Sequence, residues 1–155
     1  MVQFYPSIPE HLQTWALSQQ LFFLASAPQT GSHINVSPKG LPSKTLHIFS
    51  PTHVAYIDYT GSGIETISHL YENGRCTVMF CSFDAAPRIM RWFCWGRVVE
   101  WDGVEFGEVL GRMGRKREEE GLLGARAVVL LEVFKGGFFV EFLFFFLHTL
   151  FLSPS

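Results

Sequence analysis

Cysteine is scarce in this sequence, and its pattern excludes two classes of protein. The chain has 3 cysteines, Cys76, Cys81 and Cys94, and none of them forms a CxxC pair. An odd number without such pairs is typical of reduced thiols in an intracellular protein rather than of a disulfide scaffold. A structural zinc site needs about four ligands at suitable spacing, and no such group is present. We therefore expect a cytoplasmic protein with no metal site.

Charge is also sparse. Charged residues make up 17% of the 155 residues, and the net charge is −2. This leaves no positive field for nucleic acid or for an anionic membrane. In the charge run at residues 112–120, the basic and acidic halves nearly cancel, which is typical of a solvated loop or helix face. The N-terminal residues lack the basic and apolar regions of a signal peptide, so we expect neither a nucleic-acid nor a membrane partner.

Several enzyme motifs are missing as well. The sequence contains no Walker loop, no GxGxxG and no HExxH. Its Gly-Ser-Gly at residues 61–63 lacks the flanks of a nucleophile elbow. No Ser, His and Asp are spaced so as to suggest a triad, and the catalytic residues stay unknown. An enzyme of this kind would depend on a cofactor for its chemistry.

What the sequence does contain is short apolar runs separated by turn residues. Hydrophobic residues make up 48% of the chain, which suits one domain with a buried core. The runs that predict strands are residues 21–25, 33–36, 45–49, 53–58, 76–83, 88–101 and 125–134. Residues 37–40 look like a break after the second run, and Gly96 like a kink in the long one.

Helix signals are fewer. Capping boxes at residues 7–10 and 62–65 predict two helix starts, and Asn73-Gly74 predicts where the second helix ends. Residues 103–110 suit a short third helix. The count is about six or seven antiparallel strands, an N-terminal helix and one or two short helices. This mainly β (α+β) pattern favours a closed or half-closed barrel over a βαβ sheet.

Two segments could hold a phosphate. At residues 35–40, Ser37 offers a hydroxyl, Lys39 a charge and Gly40 close backbone approach. The alternative is an ordinary strand-ending turn with an exposed lysine. Residues 60–66 form a glycine-rich turn that opens a helix, which suits an anion. The alternative there is a plain capping box, because the Glu65 carboxylate already offsets the partial positive charge of the helix N-terminus.

Other polar and aromatic residues are less specific. Arg88 and Arg91 are three apart on a strand and point to opposite faces, so one could reach a cavity. His69 lies one residue off the apolar stripe of its helix and is expected to be partly exposed. The aromatic cluster within residues 92–101 could stack on a flat ring, but core or dimer contacts are the commoner use.

The order of these segments is more specific than any one of them. The strings are FYPSIPEHLQ, INVSPKG, GSGIETISHL, ENGRCTVMF and PRIMRWFCWG. In this order and spacing, the chain resembles one group of pyridoxamine 5′-phosphate oxidase-like proteins over about residues 1–135. The resemblance implies a split β-barrel that forms a homodimer and binds FMN at the dimer interface.

The resemblance also implies a set of cofactor-binding residues. Lys39 corresponds to the lysine after the family's first phosphate-binding strand, and Arg88 to a polar position near the isoalloxazine ring. The full implied set is Asn35, Ser37, Lys39, Asp58, Thr60, Ser62, Thr66, Arg88 and Arg91. Residues 64–66, Ile-Glu-Thr, stand where pyridoxamine phosphate oxidases carry Ser-Arg-Lys. This departure argues against vitamin B6 oxidation and predicts weaker FMN binding, because a carboxylate near a phosphate is repulsive.

The function implied is that of a flavin-dependent oxidoreductase acting on an unidentified small molecule. The alternative is a non-catalytic split-barrel module for binding or interaction that has lost tight FMN binding. Lys39 and Arg88 favour the first, whereas Glu65 favours the second.

The ending, residues 136–155, does not match the family. It reads GGFFVEFLFFFLHTLFLSPS and follows neither the period of a strand nor that of a helix. A membrane anchor would need about 20 apolar residues, and a small barrel could not enclose so much phenylalanine. We therefore expect an atypical tail that arises from an unspliced intron or a wrong gene-model boundary.

Overall fold

The computed structural model describes residues 2–61, 63–84 and 87–140. Its strands are β1 (Val2–Tyr5), β2 (Leu21–Ser26), β3 (Asn35–Gly40), β4 (Leu46–Ser50), β5 (His53–Tyr59), β6 (Arg75–Cys81), β7 (Arg88–Glu100) and β8 (Ala125–Val140). Its helices are α1 (Glu10–Ser18), α2 (Pro42–Thr45), α3 (Ile64–Asn73) and α4 (Val104–Arg112), with a 3-10 turn at Glu120–Leu122.

All the strands belong to one antiparallel, 8-stranded sheet. Its order is β3-β2-β6-β7-β8-β5-β4, with β1 pairing the far end of β8. The edge strand β3 approaches β5, the strand next to the opposite edge, since Lys39 of β3 forms an ion pair with Asp58 of β5. The sheet is therefore curled into a half-closed barrel, and the predicted split-barrel class is confirmed.

Two apolar clusters stabilise the barrel. The larger fills its interior and joins α1 and α3 to the inward side chains of the sheet, Phe22, Tyr56 and Trp92 among them. The smaller lies outside β5 and β8, under α4, and includes Ile57 and Phe106. Because β5 is covered on both faces, its sequence is a continuous apolar run rather than an alternating one.

The predicted break at residues 37–40 is wrong. Strand β3 continues through these residues and pairs with β2 from Asn35 opposite Ser26 to Gly40 opposite Leu21. Pro38 is tolerated because β3 is an edge strand, where a missing N–H costs no ladder bond. Strand β1 and helix α2 had no counterpart among the predicted elements.

Helix boundaries also differ in detail. Pro9 is the N-cap of α1 and makes no side-chain capping bond, so the predicted capping box at residues 7–10 does not form. Gly63, not Ser62, is the N-cap of α3. The predicted end of α3 is confirmed, because Gly74 follows Asn73 with a left-handed φ of 67°.

Gly96 allows close packing and does not mark the kink that the sequence predicts. The register shift in β7 falls between Phe93 and Cys94. A Cβ on Gly96 would lie 2.7 Å from Leu70 Cδ2 of α3, and the Gly96 N–H donates to the Gly74 carbonyl oxygen at 2.6 Å. Glycine at this position therefore lets α3 approach β7 closely.

Strand β8 is longer than the predicted 125–134. It runs to Val140, and Gly136 and Gly137 pair with β1 on one side and with β7 on the other. The expected start of the atypical tail thus lies within a paired strand, whereas residues 141–155 lie outside the described residues. Over the described part of the chain, none of the helices is both long and apolar enough to traverse a bilayer.

Candidate functional site

A buried carboxylate with two cations forms the centre of the site. Asp58, near the end of β5, is fully buried. Its Oδ1 accepts from Lys39 Nζ at 2.6 Å, and its Oδ2 accepts from Arg126 Nε at 2.6 Å. The side chains of Lys39 and Arg126 are only 16% and 17% exposed. We name these three residues the ion cluster; with one carboxylate for two cations, it carries a net positive charge.

A β-bulge explains how Arg126 reaches Asp58. Asp58 pairs with Ala127 and Tyr59 with Ala125, so Arg126 is the extra residue in β8. The bulge reverses the alternation of side chains: Ala127 packs in the barrel interior, whereas Ala125 packs under α4. Without the bulge, Arg126 would face away from Asp58, so the local irregularity creates the second ion pair.

The start of α3 lies directly against the two cations. A Cβ built on Gly63 would be 2.9 Å from Lys39 Nζ and 3.3 Å from Arg126 Nη2. Glycine therefore lets both cations approach this helix start closely, and a larger residue would displace them. The N-terminus of a helix carries partial positive charge and free N–H groups. Positive charge is therefore in excess here, and an anion would offset it.

Burial keeps the neighbouring phenol neutral. The Tyr56 ring lies 5.6 Å from Lys39 Nζ. Burial first, and the charge of Asp58 second, raise the pKa of Tyr56 well above its ordinary value of 10.0. Tyr56 thus adds no negative charge at neutral pH, and Asp58 alone opposes the two cations of the ion cluster.

A polar row on β3 extends the site. Asn35, Ser37 and Lys39 alternate with exposed residues, so they share one face of the strand. Asn35 Nδ2 donates to Thr66 Oγ1 of α3 at 2.9 Å, and Ser37 Oγ donates to Asn35 Oδ1 at 3.2 Å. The structure therefore brings together five of the predicted site residues, namely Asn35, Ser37, Lys39, Asp58 and Thr66.

His69 is buried, so its predicted partial exposure is wrong. Its flank of α3 packs on β2, and His69 Nδ1 lies 3.0 Å from Ser26 Oγ. Asn35 Nδ2 donates to the same hydroxyl at 3.3 Å. Ser26 Oγ therefore accepts from Asn35 and is also paired with His69 Nδ1. The pair thus fixes the helix to the sheet beside the polar row.

The two predicted arginines of β7 lie apart from the ion cluster. Strands β2 and β6 separate β7 from β3, which places the backbones roughly 14 Å apart at about 4.8 Å per strand. Arg91 pairs with Met79, which pairs with Phe23, and these side chains share one face of the sheet. Lys39 pairs with the residue before Phe23, so it lies on the opposite face. Within one chain, Arg91 is therefore kept from Lys39 by both face and distance, and Arg88, which points to the other face, by distance alone.

Of the other predicted site residues, the structure describes Thr60, which directly follows β5. Thr60 is exposed, and its N–H donates to the Gly124 carbonyl oxygen at 2.7 Å. Ser62 lies outside the described residues.

The aromatic cluster of β7 is divided between core and surface. Trp92 lies in the core, whereas Trp95 is exposed and its ring lies 5.8 Å from that of Phe134.

Arg126 is the residue that the sequence reading missed. A signal was present, because Arg126 begins the apolar run Ala-Val-Val-Leu-Leu, and Asp58 ends the run Val-Ala-Tyr-Ile. A charged side chain within a strand that is otherwise buried needs a partner of opposite charge. Two such positions in one small barrel are candidates for pairing with each other.

No protein-family model matches the chain. It is 58% identical over 132 residues to the pyridoxamine 5′-phosphate oxidase family protein ustO of Aspergillus flavus; the match covers 85% of this chain. The chain spans about half the length of that relative, 51%.

Solved structures share the fold at low identity. An FMN-binding protein from Syntrophomonas wolfei matches with a TM-score of 0.54 at 11% identity, covering 76% of each chain. The heme storage protein HutZ from Vibrio cholerae matches with a TM-score of 0.57 at 16% identity, covering 86% of this chain and 94% of its own. The ustO match shows that the chain belongs to the pyridoxamine 5′-phosphate oxidase-like family, and the solved structures share its split β-barrel fold.

Proposed function

We propose that this protein binds FMN, with the flavin phosphate at the start of α3. The observation that carries the proposal is the excess positive charge of the ion cluster against Gly63. A phosphate monoester ends in a compact dianion, which suits cations and free N–H groups at a helix start. The family membership and the shared fold with an FMN-binding protein support the same ligand.

The residues present fit such a phosphate. Lys39 Nζ would contact it as a point charge. Arg126 Nη2 is buried and has no hydrogen-bond partner among the described residues, so it has a free N–H to offer. Ser37 and Asn35 continue the polar row away from Lys39, where the ribityl hydroxyls of FMN would find donors and acceptors. Asn35 is held in place by Thr66.

A second copy of the chain completes the proposed protein. An open groove of about 320 Å³ lies on the outer face of β2, β6, β7 and β8, and Ile34, Trp95 and Phe134 are exposed around it. An exposed apolar patch of this kind marks an interaction surface. A homodimer through this face would cover it. Strand β7 of the partner could then carry Arg91, which lies on this outer face, towards the flavin.

The chemistry of the proposed enzyme is redox, and the flavin supplies it when bound. The chain would bind the phosphate, orient the ring and exclude water. The substrate is a small molecule of unidentified class. One observation favours the alternative, a non-catalytic module: Glu65 is exposed in the first turn of α3, where the resemblance predicts a basic residue in oxidases.

Flavin binding tests the proposal directly. FMN and riboflavin are titrated with the purified full-length chain, and quenching of flavin fluorescence is followed. We expect quenching of FMN with micromolar or weaker affinity, and weaker quenching of riboflavin, which lacks the phosphate. A visible spectrum of the chain after incubation with FMN and gel filtration checks retention. An absence of quenching at high FMN concentration would show that the protein is not a flavin binder.

A further inference from the structure

We propose that Arg126 is the second phosphate-binding cation of this protein, in place of the basic pair that is absent from the start of α3. The inference rests on the proposed function, and it names a residue of β8 rather than of α3 as a phosphate ligand. Asp58 is then a positioning residue, because it holds the guanidinium without contacting the ligand.

The three nitrogens of the guanidinium have different partners. Arg126 Nε donates to Asp58 Oδ2 at 2.6 Å, and Nη1 donates to the Gly61 carbonyl oxygen at 3.3 Å. Nη2 is buried and has no acceptor among the described residues. Buried N–H groups without a partner are rare in folded proteins, because the lost hydration is not replaced. An acceptor oxygen supplied by a ligand would satisfy this nitrogen.

The free nitrogen and Lys39 converge on one point. The position that a Gly63 Cβ would take lies 3.3 Å from Arg126 Nη2 and 2.9 Å from Lys39 Nζ. Two positive groups therefore lie side by side against the Gly63 backbone at the start of α3. A phosphate oxygen placed beside both nitrogens could accept from each, whereas a neutral hydroxyl would leave the excess charge in place.

The ion pair with Asp58 fixes the direction of the free N–H. A guanidinium is planar and rigid, so anchoring Nε and Nη1 also sets where Nη2 points. An ammonium group on a flexible stem has no such second donor at a set angle. Substitution of Arg126 by lysine should therefore keep the charge opposite Asp58 and lose the contact to the ligand.

The experiment compares two flavins across three variants. Arg126→Lys and Arg126→Gln are titrated with FMN and with riboflavin. Arg115→Gln is the matched control, because Arg115 is 23% exposed and also pairs with a carboxylate, that of Glu119. We expect the FMN dissociation constant to rise roughly 10- to 100-fold in both Arg126 variants, the range for a lost charge-assisted bond. Riboflavin affinity should change less than about 2-fold, and Arg115→Gln should leave both affinities unchanged. Equal losses for the two flavins in Arg126→Lys would assign Arg126 a purely structural role and overturn the inference.

A second measurement separates this inference from the proposed function. The melting temperatures of the wild type and of Arg126→Lys are followed as inorganic phosphate is added. If the wild type binds neither flavin, the proposed function fails. Stabilisation by phosphate that is present in the wild type and lost in Arg126→Lys would still support Arg126 as an anion ligand. Equal stabilisation of the two proteins, or none in either, would overturn it.

Discussion

Helices α3 and α4 begin with closely similar local sequences in different surroundings. Residues 63–65 are Gly-Ile-Glu, and residues 103–105 are Gly-Val-Glu. In both cases glycine is the N-cap, no described side chain caps the helix, and an exposed branched residue comes first. Local sequence alone would therefore assign the two helix starts the same role.

Their surroundings separate them. At α4, both oxygens of Glu105 accept from Arg97, at 2.6 and 2.7 Å. A carboxylate of the helix itself therefore neutralises this cation. At α3, Lys39 and Arg126 meet beside the N-cap and share Asp58 between them. At the start of α4 the charges of Arg97 and Glu105 cancel, whereas at the start of α3 positive charge is in excess. The start of α3 is therefore the candidate anion site, because strands β3 and β8 place two cations beside it.

Removing the shared carboxylate should have the largest effect. Asp58→Asn leaves two largely buried cations with no negative charge between them. Loss of one partner of a buried pair costs about 3 kcal/mol or more, so the free energy of unfolding in urea should fall by about that amount. Glu105→Gln at the start of α4 is the control, since its pair is exposed and should contribute little. Similar small losses in both variants would show that the ion cluster behaves as a surface pair.

Lys39→Ala should have the next largest effect, on binding. It removes one cation and leaves Asp58 paired with Arg126. FMN binding should weaken by about 1–3 kcal/mol, the range for one charge-assisted contact. Riboflavin, titrated in parallel by fluorescence quenching, should be affected much less. Lys44→Ala, an exposed lysine of α2, controls for net charge. Equal losses for the two flavins would show that Lys39 acts through the fold and not through the phosphate.

The fold was largely predictable, because strand and helix periodicities in this chain agree with their final positions. Strand β3 is the instructive exception. Pro38 and Gly40 have the local chemistry of a turn, yet pairing with β2 holds both in a strand. His69 is a similar case, because its burial depends on Ser26, a residue 43 positions away. Tertiary contacts thus override local preference where the sequence signal is weak.

The site was predictable only in part. Residues 35–39 and Asp58 were found by the resemblance, and the structure places them together. Arg126 was missed because its contact depends on a β-bulge opposite Tyr59. An extra residue in one strand reverses which face its side chains occupy, and alternation read from sequence assumes that no such residue exists.

The charge of Glu65 should have a smaller effect on binding. Glu65→Arg replaces a carboxylate in the first turn of α3 by the cation that the resemblance predicts for oxidases. Affinity for FMN should rise by about 0.3–1 kcal/mol, the scale for an exposed charge near a helix end. Glu105→Arg makes the same change at the same position of α4 and should leave FMN affinity unchanged. An unchanged or reduced affinity in Glu65→Arg would show that the family's basic residue does not align with this helix start.

The start of α4 should show the smallest effect, and one that depends on pH. Hydrogen bonds from Arg97 lower the pKa of Glu105 below its ordinary value of 4.5. A lowered pKa in the folded state stabilises the fold above the unfolded value, and this contribution is lost as the pH falls through the lowered value. The small difference in urea midpoint between wild type and Glu105→Gln should therefore be present at pH 7 and disappear as the pH falls through the lowered pKa of Glu105. High salt should reduce it at pH 7, because both side chains are exposed. Glu65→Gln removes the same charge from α3, where none of the ion pairs among the described residues involves Glu65. If the difference in urea midpoint between wild type and Glu105→Gln grew towards acidic pH, the ion pair between Arg97 and Glu105 could not be its cause.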